Sequence, residues 1–198
     1  MDKQSIIQLC EGYNISYYTI NDDGSIDVDG DVSFINLGLT ELPLKFNKVS
    51  GDFYCAHNNL TTLKGCPIEV GEIFNCNYNE LTSLEYSPIK VGDDFCCTEN
   101  NLTDLKGCPE KVGGVFLITD NNITDLKEFP KLVGGYTYLL SNPIGSISTS
   151  MDIDFVRAFN SYKVLKDGVI NLKRLKYLME QFDKPINIEE IKKHYEVR

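Results

Sequence analysis

No run of about 18 apolar residues occurs in the 198-residue chain, so no α-helical membrane span is expected. The first residues, MDKQSIIQLCEGYN, lack the apolar core and small-residue cleavage site of a secretory signal. A cytoplasmic location is therefore expected. Histidine is scarce, at His57 and His194 only, and no H-E-x-x-H helix, G-x-S-x-G elbow or glycine-rich phosphate loop is present. The expectation is a protein that is not an enzyme, with no catalytic residue, no cofactor and no metal. Seven cysteines is an odd count in a chain without a signal peptide, which argues for reduced thiols rather than a disulfide framework.

Charge is unevenly spread. From residue 151 to 198 ten Lys and Arg face eight Asp and Glu, a balance of +2; the remaining nine against twenty-one give −12. Affinity for phosphates comes mainly from Lys and Arg displacing counterions, so the acidic part disfavours nucleic acid and favours a basic partner.

What is abundant is repetition. Val49, Val70, Val91, Val112 and Val133 recur every 21 residues, and Phe53, Phe74, Phe95 and Phe116 stand in the same frame. Cys55, Cys76, Cys97, Ile118 and Leu139 follow, then Asn58, Asn79, Asn100, Asn121 and Asn142 without exception. Leucine or isoleucine recurs two and five residues behind each asparagine. Such a fixed period marks an α/β solenoid of the leucine-rich-repeat kind, because one turn cannot bury its own apolar positions whereas stacked turns share a continuous core. Phe and inward Cys alternate as in a strand, giving a parallel β-sheet on a concave face. The asparagine amides are expected inside the turns, bonding backbone groups of adjacent coils.

The units VSGDFYCAHNNLTTLKGCP, VGEIFNCNYNELTSLEYSP and VGDDFCCTENNLTDLKGCP resemble the V-G-G-D-F-x-C-x-x-N-x-L-T-S-L repeats of leucine-rich-repeat-like proteins encoded by tailed bacteriophages. The resemblance spans roughly residues 26–148. It is specific for the fold and implies little about activity; taken with the solenoid and the acidic field, it leads to the expectation of a phage protein in the host bacterial cytoplasm that binds and inhibits a host protein, such as a defence component. A structural or homo-oligomeric phage component is the alternative. A weaker similarity links the units to bacterial effector proteins with short leucine-rich repeats. Some of those carry a catalytic cysteine in a C-terminal ubiquitin-ligase domain; here the last cysteine, Cys108, lies inside the repeats.

The organisation expected is an N-terminal cap at 1–27, the solenoid at 28–148 and a C-terminal helical cap at 149–198. The N-terminal cap combines a short helix over 2–13, with Ile6, Ile7 and Cys10 on one face, and a hairpin turning at Asp23-Gly24 and Asp29-Gly30. The acidic stretch NDDGSIDVDG lacks the spacing of a calcium loop. In the C-terminal cap helices are expected over 152–165 and 171–182, with a last one starting from a capping box at Asn187 and Glu190. The second helix carries Lys173, Arg174 and Lys176 off its apolar stripe, a solvated face or a contact for an acidic or phosphate-bearing partner. Cys55, Cys76 and Cys97 should form a buried ladder about 4.8 Å apart, a line on which zinc's four ligands cannot converge.

The outward strand positions are then the candidate partner-binding residues. They are Asp52 and Tyr54, Ile73, Asp94 and Cys96, Val115 and Leu117, and Tyr136, Tyr138 and Leu140. This face runs from mixed and acidic to strongly apolar, and Asp31, Glu99 and Asp120 add to its charge. Three occupants suit the apolar end: the C-terminal helices folded back, a protein partner, or a second copy in a homodimer.

Overall fold

The computed structural model describes residues 1–148, 150–151, 153–166 and 169–198. The repeats form a leucine-rich-repeat-like solenoid, and each coil contributes two short strands rather than one. The first strand of a coil ends on the repeated valine, in Phe46–Val49, Glu69–Val70, Lys90–Val91, Lys111–Val112 and Leu132–Val133. The second begins on the repeated phenylalanine, in Phe53–Tyr54, Phe74–Asn75, Phe95–Cys96 and Phe116–Leu117, with Val32–Ser33 before them and Thr137–Tyr138 after. Every strand pairs in parallel with its counterpart one coil on, Val70 with Val91 and Phe74 with Phe95, for example. Two seven-stranded sheets result. They are called here the valine sheet and the phenylalanine sheet; only the second was expected from the repeat.

The two sheets meet at a corner that explains the V-G pair. At Gly92 a Cβ would overlap the carbonyl of Gly71 in the preceding coil, and at Gly71, Gly113 and Gly134 the clash is the same. Successive backbones touch there, so no side chain fits. A second backbone constraint lies just before each asparagine. His57, Tyr78, Glu99, Asp120 and Ser141 all adopt left-handed φ values between 53° and 58°. This position, variable in sequence, is constant in backbone geometry.

The asparagines close the coils as expected. Asn79 Oδ1 accepts from the Leu60 amide at 3.0 Å, and its Nδ2 donates to the Cys55 and Cys76 carbonyls at 3.0 Å each. The arrangement repeats at Asn58, Asn100, Asn121 and Asn142. Each amide therefore satisfies buried backbone groups that no sheet bond reaches. Inside, Phe53, Phe74, Phe95 and Phe116 are fully buried and stack with centroid spacings of 5.8, 5.4 and 5.3 Å. The ladder ends at Thr137, whose hydroxyl is buried without a hydrogen-bond partner.

Both ends of the solenoid are covered. Helix α1, Lys3–Gly12, is capped by Asp2, whose carboxylate accepts from the Ser5 amide at 3.0 Å; it buries Ile6 and Cys10, while Ile7 is half-buried. The hairpin Tyr18–Ile20 with Ile26–Val28 extends the valine sheet, and Lys45 pairs with Asp23 at 2.6 Å in its turn. At the other end Ser150–Met151 runs antiparallel to Thr137–Tyr138 and closes the phenylalanine sheet.

Three helices follow: α2 (Ile153–Ser161), α3 (Leu172–Gln181) and α4 (Ile188–Ile191). Asn171 caps α3 through the Arg174 amide, and Asn187 caps α4 through that of Glu190. Position 152, the expected start of the first of them, lies outside the described residues. Helix α2 stops short of the expected 165 because Lys163 is left-handed, with φ 50°. The chain beyond it enters a three-stranded sheet of Leu165–Lys166, Val169–Ile170 and Glu196–Val197 that the helical periodicity did not reveal. The cap is thus helical with a small sheet of its own. It is tied to the last coil where the Tyr195 hydroxyl donates to the Thr124 carbonyl at 2.6 Å.

Candidate functional site: the outer face of the phenylalanine sheet

Alternation places Phe and Cys inward, so their neighbours point out. Asp52, Tyr54, Ile73, Asp94, Cys96, Val115 and Leu117 are half-buried on the outer face. Ala56, the next alternate position after Tyr54 and so expected to point outward, is buried instead. Tyr136, Tyr138 and Leu140 are the most open, at 56%, 40% and 55% exposure. The C-terminal helices therefore do not fold back over this end. They dock instead beside residues 124–127 of the last coil, where Phe159, Asn160 and Tyr195 close against Leu126 and its neighbours.

Charge on the coils is segregated by side. The corner, outer strand and following turn of successive coils occupy residues 29–36, 50–59, 71–80, 92–101, 113–122 and 134–143. These stretches contain no Lys or Arg. They hold nine carboxylates: Asp29, Asp31 and Asp52 early, Glu72, Glu80, Asp93 and Asp94 centrally, then Glu99 and Asp120. All eight lysines of residues 28–148 lie on the valine sheet or on the side that precedes it. Several meet acidic partners there, as Lys48 does with Glu69 at 3.3 Å and Lys106 with Glu85 at 2.7 Å. The outer face therefore keeps an uncompensated negative field beside an apolar, tyrosine-rich end.

Not every carboxylate is free to meet a partner. Asp31 Oδ1 accepts from the Asp52 amide at 2.9 Å, Asp52 Oδ1 from the Ile73 amide at 2.8 Å, and Asp94 Oδ1 from the Val115 amide at 2.7 Å. These three carboxylates bind corner amides one coil further on, a structural duty the sequence did not disclose. Asp52 Oδ2 also accepts from the Tyr54 hydroxyl at 2.7 Å, and this bond, with burial behind it, pushes the Tyr54 phenol up to about 12. Asp29 accepts from the Ser50 hydroxyl at 2.9 Å, and Glu72, Glu80, Asp93, Glu99 and Asp120 carry the outward charge.

The cysteines divide by surroundings. Cys55, Cys76 and Cys97 are buried in line, and burial drives the Cys76 thiol well above its ordinary value. Cys108 donates to the Glu128 carbonyl at 2.8 Å, and Ser87, in the equivalent place one coil earlier, donates to the Gly107 carbonyl at 2.7 Å. Cys96 alone of the strand cysteines faces outward, its thiol raised to about 11 by burial and then by Asp94. All seven are free thiols. Among the described residues no three His, Cys, Asp or Glu side chains are grouped to hold a metal ion, and no helix is long and apolar enough to cross a membrane.

A second concavity was not anticipated. An apolar groove of about 1100 Å³ crosses the coils on the flank before the valine sheet, lined by Leu42, Leu44, Cys66, Ile68, Tyr86 and Ile89 among others. Its sequence signal is the Pro-Ile pair at 67–68 and again at 88–89, which leaves an isoleucine outside the core in consecutive coils. His57 and Tyr78, in the left-handed turn position, stack at 4.4 Å on the rim of the phenylalanine sheet. The chain matches no family model, no curated protein and no solved structure.

Proposed function

We propose that this chain is a non-enzymatic binding scaffold whose protein partner lies against the outer face of the phenylalanine sheet. One observation carries the reading: that face holds nine carboxylates and no Lys or Arg, next to Tyr136, Tyr138 and Leu140, which stay exposed among the described residues. The partner that fits has a basic rim and an apolar centre. Glu72, Asp93, Glu99 and Asp120 steer its approach, and Tyr136, Tyr138 and Leu140 supply the desolvated anchor. In the setting implied by the repeat resemblance, the partner is a host bacterial protein that is inhibited by occlusion in the host cytoplasm. Homodimerisation through the whole face would oppose like charges, so the homo-oligomeric alternative rests on the tyrosine end alone.

The test is capture from a bacterial lysate by the tagged chain, with Tyr138→Asp and the pair Asp93→Lys, Glu99→Lys in parallel. A stoichiometric partner is expected with the parent. Loss of an aromatic anchor of about 2 kcal/mol weakens it roughly thirtyfold, and the charge exchange slows association at low salt. Equal capture by all three proteins, or none by the parent, removes the reading.

A further inference from the structure

In a chain of net charge −10, one cleft gathers four cationic side chains. It lies on the C-terminal cap, between the end of α2 and the first turns of α3. Its lining is Ser161, Tyr162, Lys163, Asn171, Lys173, Arg174, Tyr177 and Arg198, four cationic side chains and, among the described residues, no carboxylate side chain. Its volume is about 900 Å³, within the range of small-molecule sites. It is separate from the phenylalanine sheet and needs none of its residues.

The cations are not equivalent. Arg198 is neutralised by Glu196, which it meets at 2.7 Å. Arg174 is steadied by one bond, its Nη1 donating to the Lys163 carbonyl at 3.3 Å, which leaves the rest of the guanidinium fork open. Lys163 is itself left-handed, with φ 50°, two residues beyond the end of α2. Lys163, Lys173 and Arg174 thus supply three positive charges to one opening, while Lys176 lies outside it. Tyr162 and Tyr177 stand edge to face at 5.6 Å and remain 41% and 50% exposed. An edge-to-face pair fixes both rings yet leaves ring surface open for stacking.

We propose that this cleft binds a nucleotide, its phosphates on Lys163, Lys173 and Arg174 and its base stacked on Tyr162 or Tyr177. Cations alone would accept any anion; the paired, open tyrosines select one that carries an aromatic group. Base–aromatic stacking contributes enough to matter beside the charge pairing. The acidic coils bear on size. Their field repels a long polyanion, but it is screened over about 8 Å at physiological ionic strength, so a compact ligand seated in the cleft meets the local cations. The shared chemistry is that of a nucleotide, free or at the end of a strand.

The full chain is titrated by calorimetry with ATP, tripolyphosphate, adenosine, a ten-residue oligodeoxythymidine and a deca-glutamate peptide. ATP is expected to bind at least tenfold more tightly than tripolyphosphate or adenosine. Lys173→Ala with Arg174→Ala should weaken ATP at least tenfold; both side chains are exposed, and circular dichroism checks the fold. Tyr177→Ala should weaken it severalfold, with Tyr177→Phe restoring affinity. Tighter binding of ATP than of the oligonucleotide assigns the free nucleotide, and the reverse assigns a strand end; either supports the cleft. The proposal is overturned by no ATP binding at millimolar concentration, by tripolyphosphate binding as tightly as ATP, or by deca-glutamate binding more tightly than both nucleotide probes.

Discussion

Replacing Asn100 with alanine tests whether the internal amide ladder holds the coils together. Asn100 is buried, its Oδ1 accepting from the Leu81 amide at 3.0 Å and its Nδ2 donating to the carbonyls of Cys76 at 3.1 Å and Thr98 at 3.3 Å. Both carbonyls keep another donor without it. Asn79 Nδ2 reaches Cys76 at 3.0 Å, and the Tyr78 amide reaches Thr98 at 2.9 Å. The Leu81 amide keeps none. Stranding that N–H costs about 1–3 kcal/mol, and the two lost carbonyl bonds about 0.5–1.5 kcal/mol each, the longer one least. The expected loss is about 2–5 kcal/mol. For a chain of this length that lowers Tm by roughly 4–20 °C. Urea and thermal unfolding followed by circular dichroism measure it, with Asn101→Ala, an exposed neighbour, expected within about 0.5 kcal/mol of the parent. An Asn100→Ala loss below about 1 kcal/mol would refute the ladder as a source of stability.

Gly92→Ala, which drives a Cβ into the Gly71 carbonyl, should prevent folding or cost more than about 3 kcal/mol, whereas Gly12→Ala, with nothing within 4 Å, should be neutral or slightly stabilising on thermal unfolding. Thr137→Val removes a buried hydroxyl that has no partner and keeps its shape, so it should stabilise by about 1 kcal/mol; a destabilised variant would mean that the hydroxyl is bonded. Cys96, raised to about 11, should alkylate with iodoacetamide at pH 8 roughly a hundredfold more slowly than an unperturbed thiol, and Asp94→Asn should speed it. Peptide mass spectrometry reads the rate, and labelling of native Cys96 at the rate of a free thiol contradicts the assignment.

The sequence was most legible where the physics repeats. A coil's neighbours are the residues 21 positions before and after it, so the period itself encodes the contacts. From it came the phenylalanine and cysteine ladders, the asparagine ladder and the outward set from Asp52 to Leu140. The valine sheet was hidden because each of its two-residue strands carries a single inward residue, the valine, whereas the Phe and Cys two positions apart declare the other sheet. The left-handed turn at His57, Tyr78, Glu99 and Asp120 was hidden because different side chains satisfy one backbone requirement. The structural duty of Asp31, Asp52 and Asp94 was equally silent, since their acceptors replace one another irregularly along the coils.

Legibility stopped where the period ended. Helices α2, α3 and α4 were visible from apolar spacing and from the caps at Asn171 and Asn187. Where they dock was not, because a stripe of apolar residues states that it must be buried but not against what. The tertiary structure seats them at residues 124–127 and leaves Tyr136, Tyr138 and Leu140 open. It likewise gathers Lys163, Lys173, Arg174 and Tyr177 into one cleft, because strands from positions 165, 169 and 196 bring the end of α2 against the start of α3. The sequence by itself determined the coil, its core and its inward–outward order, since these depend on contacts at one fixed separation. Only the tertiary structure decided which faces remain uncovered, since that depends on long-range docking for which no period exists.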